Sequence, residues 1–172
     1  MPFLLSRQDS PLGSMLIVTD AQENLRALDF YDYESRLHTL LTRHYGAYEL
    51  QNAPTPAKIE NALAHYFTGD LSAIEDLSVC TGGTPFQRDI WKALRSIPAG
   101  VTKSYGELAR QVGKPNASRA VGLANGANPI AIVVPCHRII GATGALTGYG
   151  GGLPRKRWLL EHEQKHAAVF AV

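Results

Sequence analysis

Apolar positions open the chain as three short runs. Phe3 to Arg7, Ser14 to Thr19 and Leu25 to Phe30 are separated by turn-prone residues, Asp9, Pro11 and Gly13 in the first gap and Asp20 to Asn24 in the second. Short apolar-rich runs between such breaks predict strands, here a small antiparallel meander. The spacing then changes. Leu37, Leu40, Leu41 and Tyr45, and again Ile59, Leu63, Tyr66 and Phe67, recur at the period of a helix with one buried face. The second of these segments begins near Thr55-Pro56 and closes at Gly69. Ser78 to Gly83 is small, polar and glycine-bearing, and reads as a linker.

Beyond the linker, Thr84-Pro85 is a helix start: a hydroxyl cap, then proline where its missing N–H does no harm. Phe86, Ile90, Trp91 and Leu94 form one apolar face that ends before Pro98-Ala99-Gly100. Ser104 caps a helix of Tyr105 to Val112, and Gly113-Lys114-Pro115-Asn116 make a turn. A second helix runs from Ala117 to Gly126. Two short helices across a glycine-bearing turn outline a helix-turn-helix. The second helix carries almost no long side chain except Arg119. Such a helix can lie close to DNA but has little with which to read bases, so contact independent of sequence fits best. Equally, its Ala and Gly residues suit tight packing with no ligand. Ile130 to Val134 is an apolar, strand-like run. The pattern predicts an α+β protein of two units, 1–79 and 80–172.

Charge sharpens that division. Of 172 residues with a net charge of +2, the basic ones crowd the second half (Arg88, Lys92, Arg95, Lys103, Arg110, Lys114, Arg119 and onward). Most acids lie in the first. Only one unit is then suited to a polyanion. No apolar stretch approaches the roughly 18 residues of a membrane span, and the start from Met1 to Arg7 lacks the pattern of a secretory leader. A cytosolic protein without membrane attachment is expected. Its two cysteines, Cys80 and Cys136, form no C-x-x-C pair, so free thiols are expected and no zinc or other metal site.

The cysteines stand in unlike settings. Cys80 lies in the linker with no base nearby. Cys136 lies in Pro135-Cys136-His137-Arg138, followed by a glycine-rich stretch from Gly141 to Gly152. Pro135 ends strand pairing, so the chain turns where the thiol sits. Cysteine reacts as thiolate, and His137 and Arg138 supply polar and positive neighbours. An inert buried cysteine is the plainer alternative. A Cys-His hydrolase is another, weakened because adjacent residues in extended chain point opposite ways. A transcription factor is disfavoured by a recognition helix poor in base-reading side chains and by the lack of a dimerisation heptad.

Pro135-Cys136-His137-Arg138-Ile139-Ile140 resembles the signature of the O6-alkylguanine-DNA alkyltransferases, and within them the bacterial constitutive branch. Thr84 to Arg88 with Trp91, Ser104-Tyr105-Gly106, Ser118 to Gly122, Ala124 to Pro129, Tyr149 to Gly152, Trp158 to Glu163 and Ser10-Pro11-Leu12-Gly13 agree with the same family. The resemblance implies an α+β fold: an RNase H-like N-terminal unit with a three-stranded antiparallel sheet and helices, then a helical winged helix-turn-helix unit. It implies direct reversal of damage in double-stranded DNA. The alkylated guanine, or O4-alkylthymine as a second substrate, swings out of the stack because an atom inside the stack cannot be attacked. Cys136 takes the alkyl group irreversibly, in a single turnover without cofactor. His137 accepts the thiol proton through a water and Glu163 orients the imidazole. Tyr105 hydrogen-bonds the ring nitrogen of the leaving base, and Asn128 ties the recognition helix to the active-site turn. Arg119 fills the gap in the stack, and Tyr105, Gly106, Lys114 and Ala142 meet the DNA. Tyr149 and Gly150 wall the pocket, whose breadth Ala131, Ala142 and Thr147 are placed to set. The resemblance implies a monomer and leaves cooperation along DNA open. Relatives that only flag lesions lack the reactive cysteine. Taken alone, Glu163 reads as an exposed helix carboxylate and Tyr105 as core packing.

Overall fold

A computed structural model describes residues 2–169. By contact the chain falls into two compact units. One holds the chain up to Gly83 together with Pro129–Val133, and the other holds Thr84–Asn128 and the chain from Val134 onward.

In the first unit, β1 (Pro2–Gln8), β2 (Met15–Thr19) and β3 (Leu25–Phe30) pair antiparallel as the apolar runs predict. The sheet, however, has four strands, in the order β3-β2-β1-β4. The added strand β4 (Glu49–Asn52) follows helix α1 (Glu34–Tyr45) and pairs parallel with β1, so the sheet is mixed rather than the purely antiparallel three-stranded one expected. Its sequence, Glu-Leu-Gln-Asn, lacks apolar alternation because an edge strand has little surface to bury. Helix α2 (Ala57–Phe67) comes next, with Ile59, Leu63 and Tyr66 buried at helical spacing. Phe3, Leu5, Leu16, Val18, Leu37 and Leu41 pack together as the core beneath the sheet.

The expected strand at Ile130–Val134 is not one. Ile130 meets Leu28 in an isolated parallel bridge outside the named strands. At Ile132 the chain turns with φ +70°, and Val133 N–H donates to Ala131 O at 2.8 Å. Positive φ is costly for a β-branched residue, and it persists here because Ile132 is completely buried. The periodicity was apolar for burial, not for pairing.

The second unit is helical. Helix α3 (Pro85–Arg95) starts with a capping box, the Thr84 side chain accepting from Gln87 N–H while the Gln87 side chain accepts from Thr84 N–H. A two-residue strand, β5 (Lys103–Ser104), leads into α4 (Tyr105–Gln111), which repeats the device with Ser104 and Glu107. Helix α4 closes in a Schellman motif: Gly113 adopts φ +77°, its N–H bonds to Arg110 O, and Lys114 N–H reaches Ala109 O at 2.9 Å. That positive φ is why glycine stands there. The chain then enters α5 (Ser118–Gly126). The Trp91 indole donates to Ala124 O at 2.9 Å, fixing α3 against α5. Strand β6 (Ile139–Ile140) pairs parallel with β5, and the final helix is α6 (Leu153–Val169). Among the described residues no helix is long and apolar enough to cross a membrane.

Replacing Ser104 by Ala removes one of two reciprocal bonds at the start of α4. It should cost about 1 kcal/mol, read as a fall of about 3 °C in melting temperature with the far-ultraviolet spectrum unchanged.

Candidate active site

Pro135 prepares the position of Cys136. With φ −82° and ψ 66° it forms an inverse γ-turn closed by Cys136 N–H donating to Val134 O at 2.8 Å. A single 3-10 turn, Cys136–Arg138, follows at once, with Arg138 N–H bonded to Pro135 O at 3.0 Å. Two tight turns in succession project three polar side chains from one buried segment. Cys136 keeps 7 % of its surface exposed, whereas His137 keeps none. Neither cysteine is in a disulfide.

Glu163, on α6, receives the two residues that follow the thiol. His137 Nε2 lies 2.8 Å from Glu163 Oε2. Arg138 grips the same carboxylate with two prongs, Nε to Oε1 and Nη2 to Oε2, both at 2.8 Å. Its third nitrogen, Nη1, donates to Ile97 O at 2.6 Å just beyond the end of α3. Glu163 is therefore not an exposed helix carboxylate but one at 1 % exposure. Burial alone would push its carboxyl up; its interactions with His137 and the hydrogen bonds and charge of Arg138 outweigh that and hold it well below the usual carboxylate range.

His137 moves down from its ordinary value. Burial pushes it there, and the attraction of Glu163 only partly offsets the push. The resting imidazole is then neutral. Its Nε2–H donates to the carboxylate, and Nδ1, which has no hydrogen-bonding partner among the described residues, presents a lone pair. That is the arrangement of a base oriented by an acid.

The remaining predicted residues divide into two groups. Asn128 donates to Val134 O at 2.8 Å, a link between the end of α5 and the turn that precedes the thiol. Tyr149 meets His137 edge to face, ring centres 6.5 Å apart. Tyr105 is half-buried rather than core, and its hydroxyl lies 2.6 Å from Thr147 Oγ1. Gly150 is half-buried in the same glycine-rich stretch. Arg119, Lys114 and Ala142 are exposed, the Lys114 ammonium lying over the Phe86 ring 5.9 Å from its centre, and Gly106 is half-exposed at the start of α4. Nothing in the structure brings these last four to Cys136. Among the described residues no group of three or more His, Cys, Asp and Glu side chains is arranged to hold a metal.

A family model described as "6-O-methylguanine DNA methyltransferase, DNA binding domain" matches residues 85–165. The chain is 54 % identical over 156 residues to a methylated-DNA–protein-cysteine methyltransferase of Salmonella typhimurium, covering 90 % of this chain and 91 % of the relative. A relative of the same description from Mycobacterium tuberculosis is 48 % identical, covering 92 % and 91 %. The chain belongs to the methylated-DNA–protein-cysteine methyltransferase family. Among solved structures it is similar to Mycobacterium tuberculosis OGT in complex with DNA, with a TM-score of 0.80, 44 % identity and coverage of 95 % and 94 %. The O6-methylguanine-DNA methyltransferase of the archaeon Pyrococcus kodakaraensis is similar at a TM-score of 0.73 and 26 % identity, covering 92 % and 98 %.

Three residues of this methyltransferase-family site escaped sequence reasoning. In the sequence Arg138 is only a positive neighbour of the thiol, yet it is 6 % exposed and neutralises Glu163. Asn125 donates to Cys136 O at 3.4 Å. Lys156 is fully buried and binds two backbone carbonyls, Ile139 O at 2.5 Å and Thr147 O at 3.1 Å. Each is polar on a helix or beside the motif, and no local pattern announces that it is buried.

Glu163→Gln keeps the shape but leaves the Arg138 charge buried without a counter-charge. It should lower unfolding free energy by about 3 kcal/mol or more in urea titration. The pH dependence follows from His137. Its folded value lies below the ordinary 6.5, so below that pH the unfolded chain binds a proton that the folded chain does not. Stability should fall as pH drops from 7 through 6, by up to about 1.4 kcal/mol per pH unit from this residue. The same titration in His137→Asn should show a shallower slope.

Proposed function

We propose that this chain repairs O6-alkylguanine in double-stranded DNA by moving the alkyl group irreversibly to the Cys136 sulfur. The observation that carries the reading is the buried relay Glu163–His137 beside Cys136, with the basic Nδ1 of a neutral imidazole left open. The membership of the chain in a family of cysteine-accepting methyltransferases supports it, as does its likeness to a relative solved with DNA.

The thiol proton passes through a water to Nδ1 of His137, and Glu163 faces the resulting imidazolium. The sulfur then forms a bond to the alkyl carbon as the carbon–O6 bond breaks, its electron pair staying with the base. Tyr105 donates a hydrogen bond to a ring nitrogen of the departing guanine, which gains its proton from solvent. The product is a thioether that this chemistry cannot reverse, so one chain repairs one base with no cofactor. Asn128 holds α5 to the turn, and Tyr149 and Gly150 line the pocket for the extruded base. The same pocket admits O4-alkylthymine.

We read α4 and α5 as a winged helix-turn-helix, and the N-terminal unit as RNase H-like, its β3-β2-β1-β4 sheet with one parallel pair supporting that reading. The exposed face of α5 carries Arg119 beside Ser118, Ala120, Leu123 and Gly126, a helix with few long side chains that is able to enter the minor groove, with Arg119 filling the space the flipped nucleotide leaves. Gly106, Lys114 and Ala142 contact the backbone. The protein acts as a monomer in the cytosol, where thiols stay reduced.

Intact mass after mixing with a duplex bearing one O6-methylguanine should rise by one methyl group per chain, mapped to Cys136, and then stop. Binding with no gain in mass would sink the transfer reading and leave a lesion-binding protein. Arg119→Ala should slow transfer from the duplex by about tenfold or more while leaving transfer from free O6-methylguanine base unchanged.

A further inference from the structure

Tyr105 stands between helix α5 and the glycine-rich stretch. Its ring rests against Gly122, where a Cβ would lie 3.5 Å from the nearest ring carbon. Its hydroxyl has Thr147 Oγ1 at 2.6 Å. Thr147 is itself held firmly. Its carbonyl accepts from the buried Lys156 ammonium, which also holds Ile139 O. Its methyl packs where a side chain on Gly141 would come within 3.4 Å. A loop residue fixed through its backbone from below thus points its one rotatable hydroxyl at the phenol.

A threonine hydroxyl is both donor and acceptor, and it can reverse. Before a base arrives, the more acidic phenol donates and Thr147 accepts. A phenol that must give its hydrogen to a base can no longer donate to Thr147. The threonine hydroxyl then turns and donates to the phenolic oxygen, over the same short separation. A donor on that oxygen polarises the phenol and strengthens the hydrogen bond it gives to the leaving base. Alanine, valine or glycine at this position would leave the oxygen bare at that moment.

We infer that Thr147 is a positioning residue for alkyl transfer, its hydroxyl reversing from acceptor to donor so that Tyr105 can commit its hydrogen bond to the departing base. This rests on the proposed reading of Tyr105 as the group that meets the base. The role differs from setting pocket breadth, which depends on the volume of Thr147 and not on its oxygen.

The test measures single-turnover transfer from an O6-methylguanine duplex to the full-length protein and to Thr147→Val, Thr147→Ser, Tyr105→Phe and the Val–Phe double variant. Valine matches threonine in shape and lacks the hydroxyl. It should slow transfer about five- to tenfold, the worth of one hydrogen bond. Serine should restore the rate to within about twofold. In the Tyr105→Phe background, valine should add less than about twofold, because its effect runs through the phenol. A Thr147→Val rate equal to wild type would overturn the inference. So would slowing that serine does not rescue, or slowing that persists in full without the phenol, either of which marks a packing role. Failure of the wild-type protein to transfer at all removes the underlying reading instead. Wild-type transfer that is indifferent to Tyr105→Phe removes the role of Tyr105 and the inference with it.

Discussion

Glu163 is a carboxylate with almost no access to water, and a charge in that position persists only if other groups replace its hydration. The residues that do so are His137 and Arg138, the two that follow Cys136 in the chain. Placement of the thiol and neutralisation of the carboxylate are therefore one event. Arg138 extends the constraint to the end of α3 through Ile97 O, so α3, α6 and the 3-10 turn meet at a single buried charge. The same event sets the imidazole. With Nε2 committed to Glu163, only Nδ1 can accept a proton, and the tautomer follows from the fold rather than from the incoming substrate.

Around that fixed centre, contacts to backbone carbonyls do most of the positioning. Asn128 and Asn125 reach Val134 O and Cys136 O. Lys156 spans Ile139 O and Thr147 O. Side chains that bind carbonyls hold the path of the chain whatever the neighbouring residue is, which suits a segment whose own side chains are committed to chemistry. Burial pushes the Lys156 ammonium down from its ordinary value, opposed by attraction to Cys136. The lysine so combines a mechanical task with an electrostatic one.

Helix α5 shows the opposite economy. It spends little on side chains: Arg119 is exposed, Gly122 leaves room beneath the Tyr105 ring, and Ala124 offers its carbonyl to Trp91. A thin helix gains little stability from its own packing. It is held instead by the α3 indole on one flank and the Schellman turn from α4 on its approach.

The features legible in the sequence were those set by neighbours along the chain. β1, β2 and β3, the helices beginning at Thr84 and Ser104, and the turn at Gly113 follow from alternation, caps and backbone freedom, which act within a few residues. The motif around Cys136 was likewise legible, since its residues lie side by side. Three things were decided only by the tertiary structure. β4 is polar and forms because β1 offers an open edge. Ile130–Val134 is as apolar as a strand but turns at Ile132, because burial constrains polarity and leaves hydrogen-bond direction free. Glu163 and Lys156 look like surface residues of a helix, and Arg138 like a charged neighbour, until distant groups enclose them. A sequence states what each side chain can bond to; which charges lose their water is settled by residues far away in the chain, and here that loss of water builds the site.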